Sequence, residues 1–317
     1  MSSAFKEVND TVQKIYTIAV STITGLGFIN NTMFLIVLIM KRIRSRYTRY
    51  ILINQSLADI SLCFLSAIAV VIPENIKTGD YVLDYLICII WSDQDCVWYV
   101  VMVGIYNLVF TAVDRYWAVV KPQTYNTNVT RKIILSFIFI YICPLAVIYV
   151  GFPETRFINQ TCLIDIDESD QTLVSYFKFY SIFYVMVQYF IPAGIVIGLY
   201  SRIYWVISKL KSNNGELKEA SRALTKTTMI LVIIFITTYA YDSVYYLFGY
   251  IGVTQYVVNS PLQMVGLSLS TINSVANPIV YIVTLKSFRT LYVSIWFRWK
   301  WRKPKIANLS ILEISQM

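Results

Sequence analysis

The sequence predicts an all-α membrane protein: a seven-transmembrane helix bundle followed by a short amphipathic cytoplasmic helix. Three observations carry this. The chain of 317 residues is 57% hydrophobic and only 14% charged, with a mean hydropathy of +0.58. That is more apolar side chain than a soluble domain of this length can bury. Seven apolar segments each reach the roughly 20 residues that a bilayer crossing requires. Lys and Arg are also divided unequally between the connections on the two sides.

Residues 1–15 are expected to form a tail outside the membrane. They lack a cationic start, apolar core and small-residue cleavage site, so no cleaved signal peptide is expected and the first span serves as anchor. The seven-span domain occupies 16–285, with spans predicted at 16–40, 50–73, 88–113, 131–152, 174–205, 223–250 and 260–285. The first connection carries Lys41, Arg42, Arg44, Arg46 and Arg49; the third carries Lys121, Arg131 and Lys132; the fifth carries Lys209, Lys211, Lys218 and Arg222. The opposite side holds only Lys6, Lys14, Lys77, Arg156 and Lys178. Cytoplasmic loops concentrate positive charge, so the N-terminus is expected outside and the C-terminus inside the plasma membrane. The net charge of +9 reflects this asymmetry and does not point to nucleic acid.

Residues 286–317 complete the cytoplasmic side. Phe288, Leu291, Tyr292, Ile295, Trp296 and Trp299 recur at helical spacing among Arg289, Arg298, Lys300 and Arg302. That pattern predicts a helix lying on anionic membrane lipid. On the outer side, Asn9 and Asn159 open Asn-X-Thr glycosylation acceptors. Cys63 and Cys143 lie mid-span and read as small packing residues. Cys88 and Cys162 both lie on the oxidising side and form the expected bridge; Cys96, about two turns deeper, is the competitor.

Several polar residues sit where lipid makes them costly. Asn273, Ser274, Asn277 and Pro278 interrupt the last span, and Asp114-Arg115-Tyr116 closes the third. Such groups need partners inside the bundle and suggest a moving assembly rather than a passive anchor.

Taken in order, these residues resemble a rhodopsin-like (class A) G-protein-coupled receptor over about 25–289. The first span has Asn31, the second Asn54-Gln55-Ser56-Leu57-Ala58-Asp59, the third Asp114-Arg115-Tyr116, and the fifth Pro192 followed by Tyr200. The seventh has Asn277-Pro278-Ile279-Val280-Tyr281, then Phe288-Arg289. The Tyr106-Asn107-Leu108 string looks similar to divergent invertebrate-type neuropeptide-like receptors. Departures are visible as well. The fourth span has Tyr141 or Ile142 in place of a tryptophan. The sixth has Tyr239 and Tyr241 where tryptophan and proline are usual, which weakens the expectation of a kink.

The resemblance implies a set of roles. Asp114, Arg115, Tyr116, Tyr200, Asn277, Pro278 and Tyr281 would form the activation switch and G-protein contact; a guanidinium held in the bundle is most simply paired with Asp114. The acidic lock partner on the sixth span is replaced by Ser221 and Arg222. Ile105, Pro192, Phe235 and Tyr239 would form a packing switch, with Leu108 and Leu231 as a hydrophobic barrier. Asp59 with Asn31, Asn273, Ser274 and Asn277 resembles a sodium pocket, although Gly104 stands where a hydroxyl is usual; a water-filled polar network is the alternative.

On the ligand side, Phe235, Tyr239, Asp242 and Tyr246 repeat at four, three and four residues and so share one helix face. Asp242 among tyrosines suits a cationic group, through charge and cation–π attraction. Val97, Trp98 and Val101 are expected to face the same cavity. The outer loops carry Glu74, Asp80, Asp84, Asp93, Asp95, Glu154, Asp165, Asp167, Glu168 and Asp170, an acidic vestibule that would steer cations inward. Val97 occupies the place where amine receptors carry an aspartate, which argues against the usual monoamine mode.

The functional expectation is a receptor for an extracellular ligand, a small and cationic peptide first and an amine or odorant second, acting on heterotrimeric G proteins. A light sensor needs a lysine in the last span, where Thr271 stands. A transporter is expected to show broken-helix repeats, which are not visible. No cofactor is expected beyond a sodium ion near Asp59, and with no histidine and no nucleophile motif the chain is not read as an enzyme.

Overall fold

The computed structural model describes residues 3–40, 43, 45–71, 77–92, 94–151, 156–158, 161–163, 170–209, 215–254, 256 and 260–296. Among them, seven helical stretches are long and apolar enough to cross a membrane, so the chain is a multi-pass membrane protein. The spans are α1 (Ser3–Met40), α2 (Arg46–Val71), α4 (Asp95–Val120), α6 (Val129–Gly151), the continuous pair α7 (Gln171–Val185) and α8 (Ile191–Lys209), α9 (Gly215–Tyr250) and α10 (Pro261–Thr284). Short helices α3 (Tyr81–Ile87), α5 (Pro122–Tyr125) and α11 (Lys286–Trp296) flank them.

The helical bundle is the expected one, with three differences. Helix α1 runs back to Ser3 through the expected tail, since no proline or glycine interrupts it before Gly25. The third span begins at Asp95 rather than at residue 88. The apolar run Cys88–Ser92 is a separate π-helical turn, and Gln94, left-handed at φ 58°, breaks the chain before α4. A two-stranded antiparallel ribbon, β1 (Arg156–Ile158) and β2 (Thr161–Leu163), was not foreseen, and Phe157 pairs with Cys162 in it. Cys162 is bonded to Cys88, so the ribbon is fastened to the turn that precedes α4. Cys63, Cys96 and Cys143 are free.

Within the bundle, backbone groups lost to proline find side-chain partners, as a medium without water requires. Pro278 in α10 cannot donate to the Ser274 carbonyl one turn back. Asn31 Nδ2 donates to that carbonyl instead, at 3.1 Å, and to the Gly27 carbonyl at 3.0 Å. The join between α7 and α8 works the same way. Ile191 N–H reaches back to the Met186 carbonyl, and the next bond in that register would need the N–H that Pro192 lacks. The freed Val187 carbonyl accepts the Tyr106 hydroxyl at 3.1 Å.

Close packing positions these contacts. A Cβ on Gly27 would come within 2.6 Å of Cys63 Sγ and 2.7 Å of Val275 Cγ2, so this glycine lets α1, α2 and α10 meet. The expected mid-span role of Cys63 is thus a packing role. Helix α9 continues unbroken past Tyr241, where no proline removes an N–H. The apolar face of α11 does not stand free. Phe288 is buried, and Leu291, Tyr292 and Ile295 pack with it on a cluster containing Phe34, Val37, Leu231, Tyr281 and Leu285. Lys286 and Arg289 stay exposed. Trp299 and the later basic residues lie outside the described residues.

Candidate ligand cleft and activation latch

At the end of the bundle opposite the disulfide, Asp114 and Arg115 form the expected pair, with Arg115 Nε and Nη2 both donating to Asp114 Oδ2. Both are buried. Their neighbours were not foreseen. Thr48 of α2 donates to Asp114 Oδ2 at 2.8 Å and accepts from Arg115 Nη2 at 2.8 Å. Tyr125 of α5 donates to Asp114 Oδ1 at 2.8 Å, while its oxygen lies 2.7 Å from Ser45 Oγ. Burial, reinforced by the negative charge of Asp114, raises the Tyr125 pKa and keeps it a proton donor. A desolvated ion pair is tolerable when its remaining lone pairs and protons are satisfied in this way.

Tyr200 and Tyr281 are buried nearby on α8 and α10, and Tyr281 stacks on Phe34 at 5.6 Å between ring centres. Tyr116 is half-buried against the cluster that holds Tyr200 and Val196. Side chains of Ser221 and Arg222 lie outside the described residues, as do Asn159 and the side chain of Asn9.

Mid-bundle, Ile105, Pro192, Phe235 and Leu231 are buried and Leu108 is half-buried. Phe235 touches Tyr239 at 5.4 Å and Tyr189 at 6.0 Å between ring centres, and all three share the core cluster with Ile105.

Asp59 is surrounded by amides. Gln55 Nε2 donates to its Oδ1 at 3.1 Å and Asn277 Nδ2 to its Oδ2 at 2.8 Å, and the Ser274 hydroxyl adds a further hydrogen bond. Asn273 pairs with Tyr239 instead, and Asn31 is engaged with the Ser274 carbonyl. The orientation of Gln55 is set by its other neighbours. Asn107 Nδ2 donates to the Ile51 carbonyl at 3.0 Å and to Gln55 Oε1 at 2.7 Å. Turning the Gln55 amide over would set nitrogen against nitrogen there, so Nε2 must face Asp59. Gly104 lies beside this amide: a Cβ there would meet Gln55 Nε2 at 3.7 Å, an ordinary contact. A sodium ion needs oxygen ligands, and here both carboxylate oxygens meet N–H donors. The residues do not fit a resident sodium ion. The chain of amides continues outward, with Asn54 Nδ2 donating to Asn107 Oδ1 at 3.0 Å and Tyr141 to Asn54 Oδ1 at 2.5 Å. Tyr141, one of the two residues read in the place of the missing tryptophan, thus anchors a polar path to Asp59.

At the disulfide end, a cleft with about 40 Å³ open to water-sized groups is lined by Asp95 and Trp98 of α4, Tyr180 and Tyr184 of α7, and Asp242, Tyr246 and Tyr250 of α9. Tyr256 and Gly151 close its sides. Asp242 is 3% exposed, and its Oδ1 has no hydrogen-bond partner among the described residues. Gly266 on α10 makes room for it, since a Cβ there would sit 2.5 Å from that oxygen. Of the expected ligand residues, Trp98, Asp242 and Tyr246 line the cleft. Val97 at 0% and Val101 at 1% exposure, together with Tyr239, are packed in the core beneath it. Asp95, three residues before Trp98, lines the cleft from α4 as well. Tyr180, Tyr184 and Tyr256 come from distant elements, and only the density of tyrosine hinted at them.

A family model for the seven-transmembrane receptors of the rhodopsin family matches residues 30–281. The chain belongs to that family. That family is one of receptors rather than enzymes. Among curated proteins it is similar to a 5-hydroxytryptamine receptor of Lymnaea stagnalis, 23% identical over 68% of this chain and 42% of that protein. An octopamine receptor beta-2R of Chilo suppressalis is 26% identical over 60% of this chain and 47% of that protein. A neuropeptide Y receptor type 6 sequence of Homo sapiens is 24% identical over 68% of this chain and 79% of its own length. The chain spans about half the length of the first two.

Proposed function

We propose that this receptor sits in the plasma membrane with its disulfide end outside, binds a positively charged extracellular ligand there, and passes the signal to a heterotrimeric G protein at its Arg115 end. The basic connections support this orientation. The observation that carries the ligand class is Asp242, a buried carboxylate whose Oδ1 has no partner, set in an aromatic cleft. A carboxylate so placed gains most from a cation that replaces its lost water. Similar proteins are named for amines and for a neuropeptide, so a cationic amine and a small basic peptide both stay within this reading.

Ligand entry would press on Asp242 and Tyr246 and, through Tyr239 and Phe235, on Ile105, Pro192, Leu108 and Leu231. Parting of the helices would free Arg115 from Asp114 to meet Tyr200, Tyr281 and the G protein. Helix α11, with Lys286 and Arg289 exposed, would lie along anionic lipid. A charge-assisted bond contributes roughly 1.5–3 kcal/mol. Asp242→Asn should therefore lower the potency of a cationic agonist on the order of tenfold to a hundredfold. Dose–response curves for second-messenger production decide it, and equal potency of the two forms would sink the assignment.

A further inference from the structure

We propose that the cleft is a site for a dication: Asp95 and Asp242 each engage one positive charge of a ligand that carries two, and the tyrosines between them enclose the chain joining those charges. This rests on the reading of Asp242 as a cation-binding residue and deepens it. Both carboxylates line the one cleft, from α4 and α9. Neither has an ion-pair partner: the salt bridge found among the described residues joins Arg115 to Asp114 at the other end of the bundle. No lysine or arginine lines the cleft among the described residues.

The two charges differ in what already satisfies them. Asp95 stands in the first turn of α4, where the free N–H groups of the helix favour an anion. Asp242 lies inside α9, about two turns before its C-terminal end, and among the described residues its Oδ1 has no hydrogen-bond partner. A monocation pairing with Asp242 would leave Asp95 with only the partial positive charge of that helix end. A dication neutralises both.

The aromatic walls suit the same chemistry. Tyr246 packs against Tyr184 at 5.0 Å, Tyr250 at 4.7 Å and Tyr256 at 5.2 Å between ring centres. Such a cluster offers ring faces to ammonium or guanidinium and apolar edges to methylenes. The open space is small, with room for only a few waters, which suits a slender chain better than a bulky ring. A free diamine and the dibasic end of a peptide share this chemistry.

The test uses the intact receptor in lipid nanodiscs and reads thermal stabilisation. The probes are diaminoalkanes of three to six carbons, the monoamines of the same lengths, and a short peptide ending in two lysines. At one chain length the diamine, or failing that the peptide, should bind on the order of tenfold more tightly than the matched monoamine. Asp95→Asn should erase that advantage, so that diamine and monoamine bind the variant alike, whereas Asp242→Asn should weaken every probe. The ligand-free unfolding temperature of each variant reports whether it is folded. If diamine and monoamine bind the native receptor alike, and Asp242→Asn weakens both, the second charge is refuted while the single-cation reading stands. If Asp242→Asn changes nothing, or if no probe binds, both readings fall.

Discussion

At the scale of single residues, the chemistry lies in polar groups that lipid would otherwise forbid. Thr48 and Tyr125 illustrate the principle. Each is an ordinary residue in sequence, but in the fold they supply the hydrogen bonds that make the buried Asp114–Arg115 pair tolerable. The pair itself was legible, since a guanidinium beside a carboxylate at a helix end has few alternatives. Its neighbours were not, because a second helix and a short connecting helix bring them from residues 48 and 125. Removing one hydrogen bond to a charged acceptor shifts a balance by roughly 1.5–3 kcal/mol. If the latch holds the resting state, Tyr125→Phe should raise ligand-independent nucleotide exchange about tenfold, measured on purified G protein. Arg115→Ala should abolish exchange with or without agonist while ligand binding survives. Unchanged basal exchange in the first variant, or near-normal exchange in the second, would overturn the latch.

At the scale of elements, hydropathy located the spans because seven long apolar runs have no other reading. It misplaced the start of the third. The run Cys88–Trp91 is as apolar as a span, and nothing in its composition reveals that Gln94 turns left-handed behind it. Of the three α4 residues expected in the cleft, only Trp98 lines it; Val97 and Val101 are packed in the core, and Asp95, one turn before Trp98, completes that wall. The amide path from Tyr141 to Asp59 was illegible for a different reason. Its partners alternate between helices, and no spacing within one helix encodes it. A polar network of this kind fills the place of an ion with fixed N–H dipoles. The unfolding temperature of the purified receptor should therefore not respond to sodium specifically, with choline as the control. Gln55→Leu should destabilise by about 1–3 kcal/mol, because Asp59 and Asn107 lose a partner in the bundle. A sodium-dependent rise that disappears in Asp59→Asn would show that the carboxylate holds the ion after all.

At the scale of the whole molecule, two polar ends are separated by a mid-bundle layer of tight packing, and each end is held by a long-range tie. One end has the Cys88–Cys162 bond across 74 residues. The other has the contacts of α11 with Phe34 and Leu285. The bridge joins the ribbon to the turn before Asp95, and its expected effect is to hold the first turn of α4 in place relative to α9. In the chain-entropy account, closing a loop of this length stabilises by up to about 4 kcal/mol. Part of that loop is already confined as a membrane span, so the realised stabilisation should be smaller. The larger consequence should be for the cleft. Cys162→Ser is expected to lower the unfolding temperature by several degrees and to weaken a cationic ligand by more than that loss of stability alone accounts for, because Asp95 is no longer held opposite Asp242. The two effects separate when ligand affinity is measured well below the unfolding transition, where nearly all receptor is folded. There, affinity equal to that of the native protein would mean that the bundle alone positions α4 and that the bridge acts on stability only. A tenfold loss, matched by Cys88→Ser and not deepened in the double variant, would make the bridge part of the binding site.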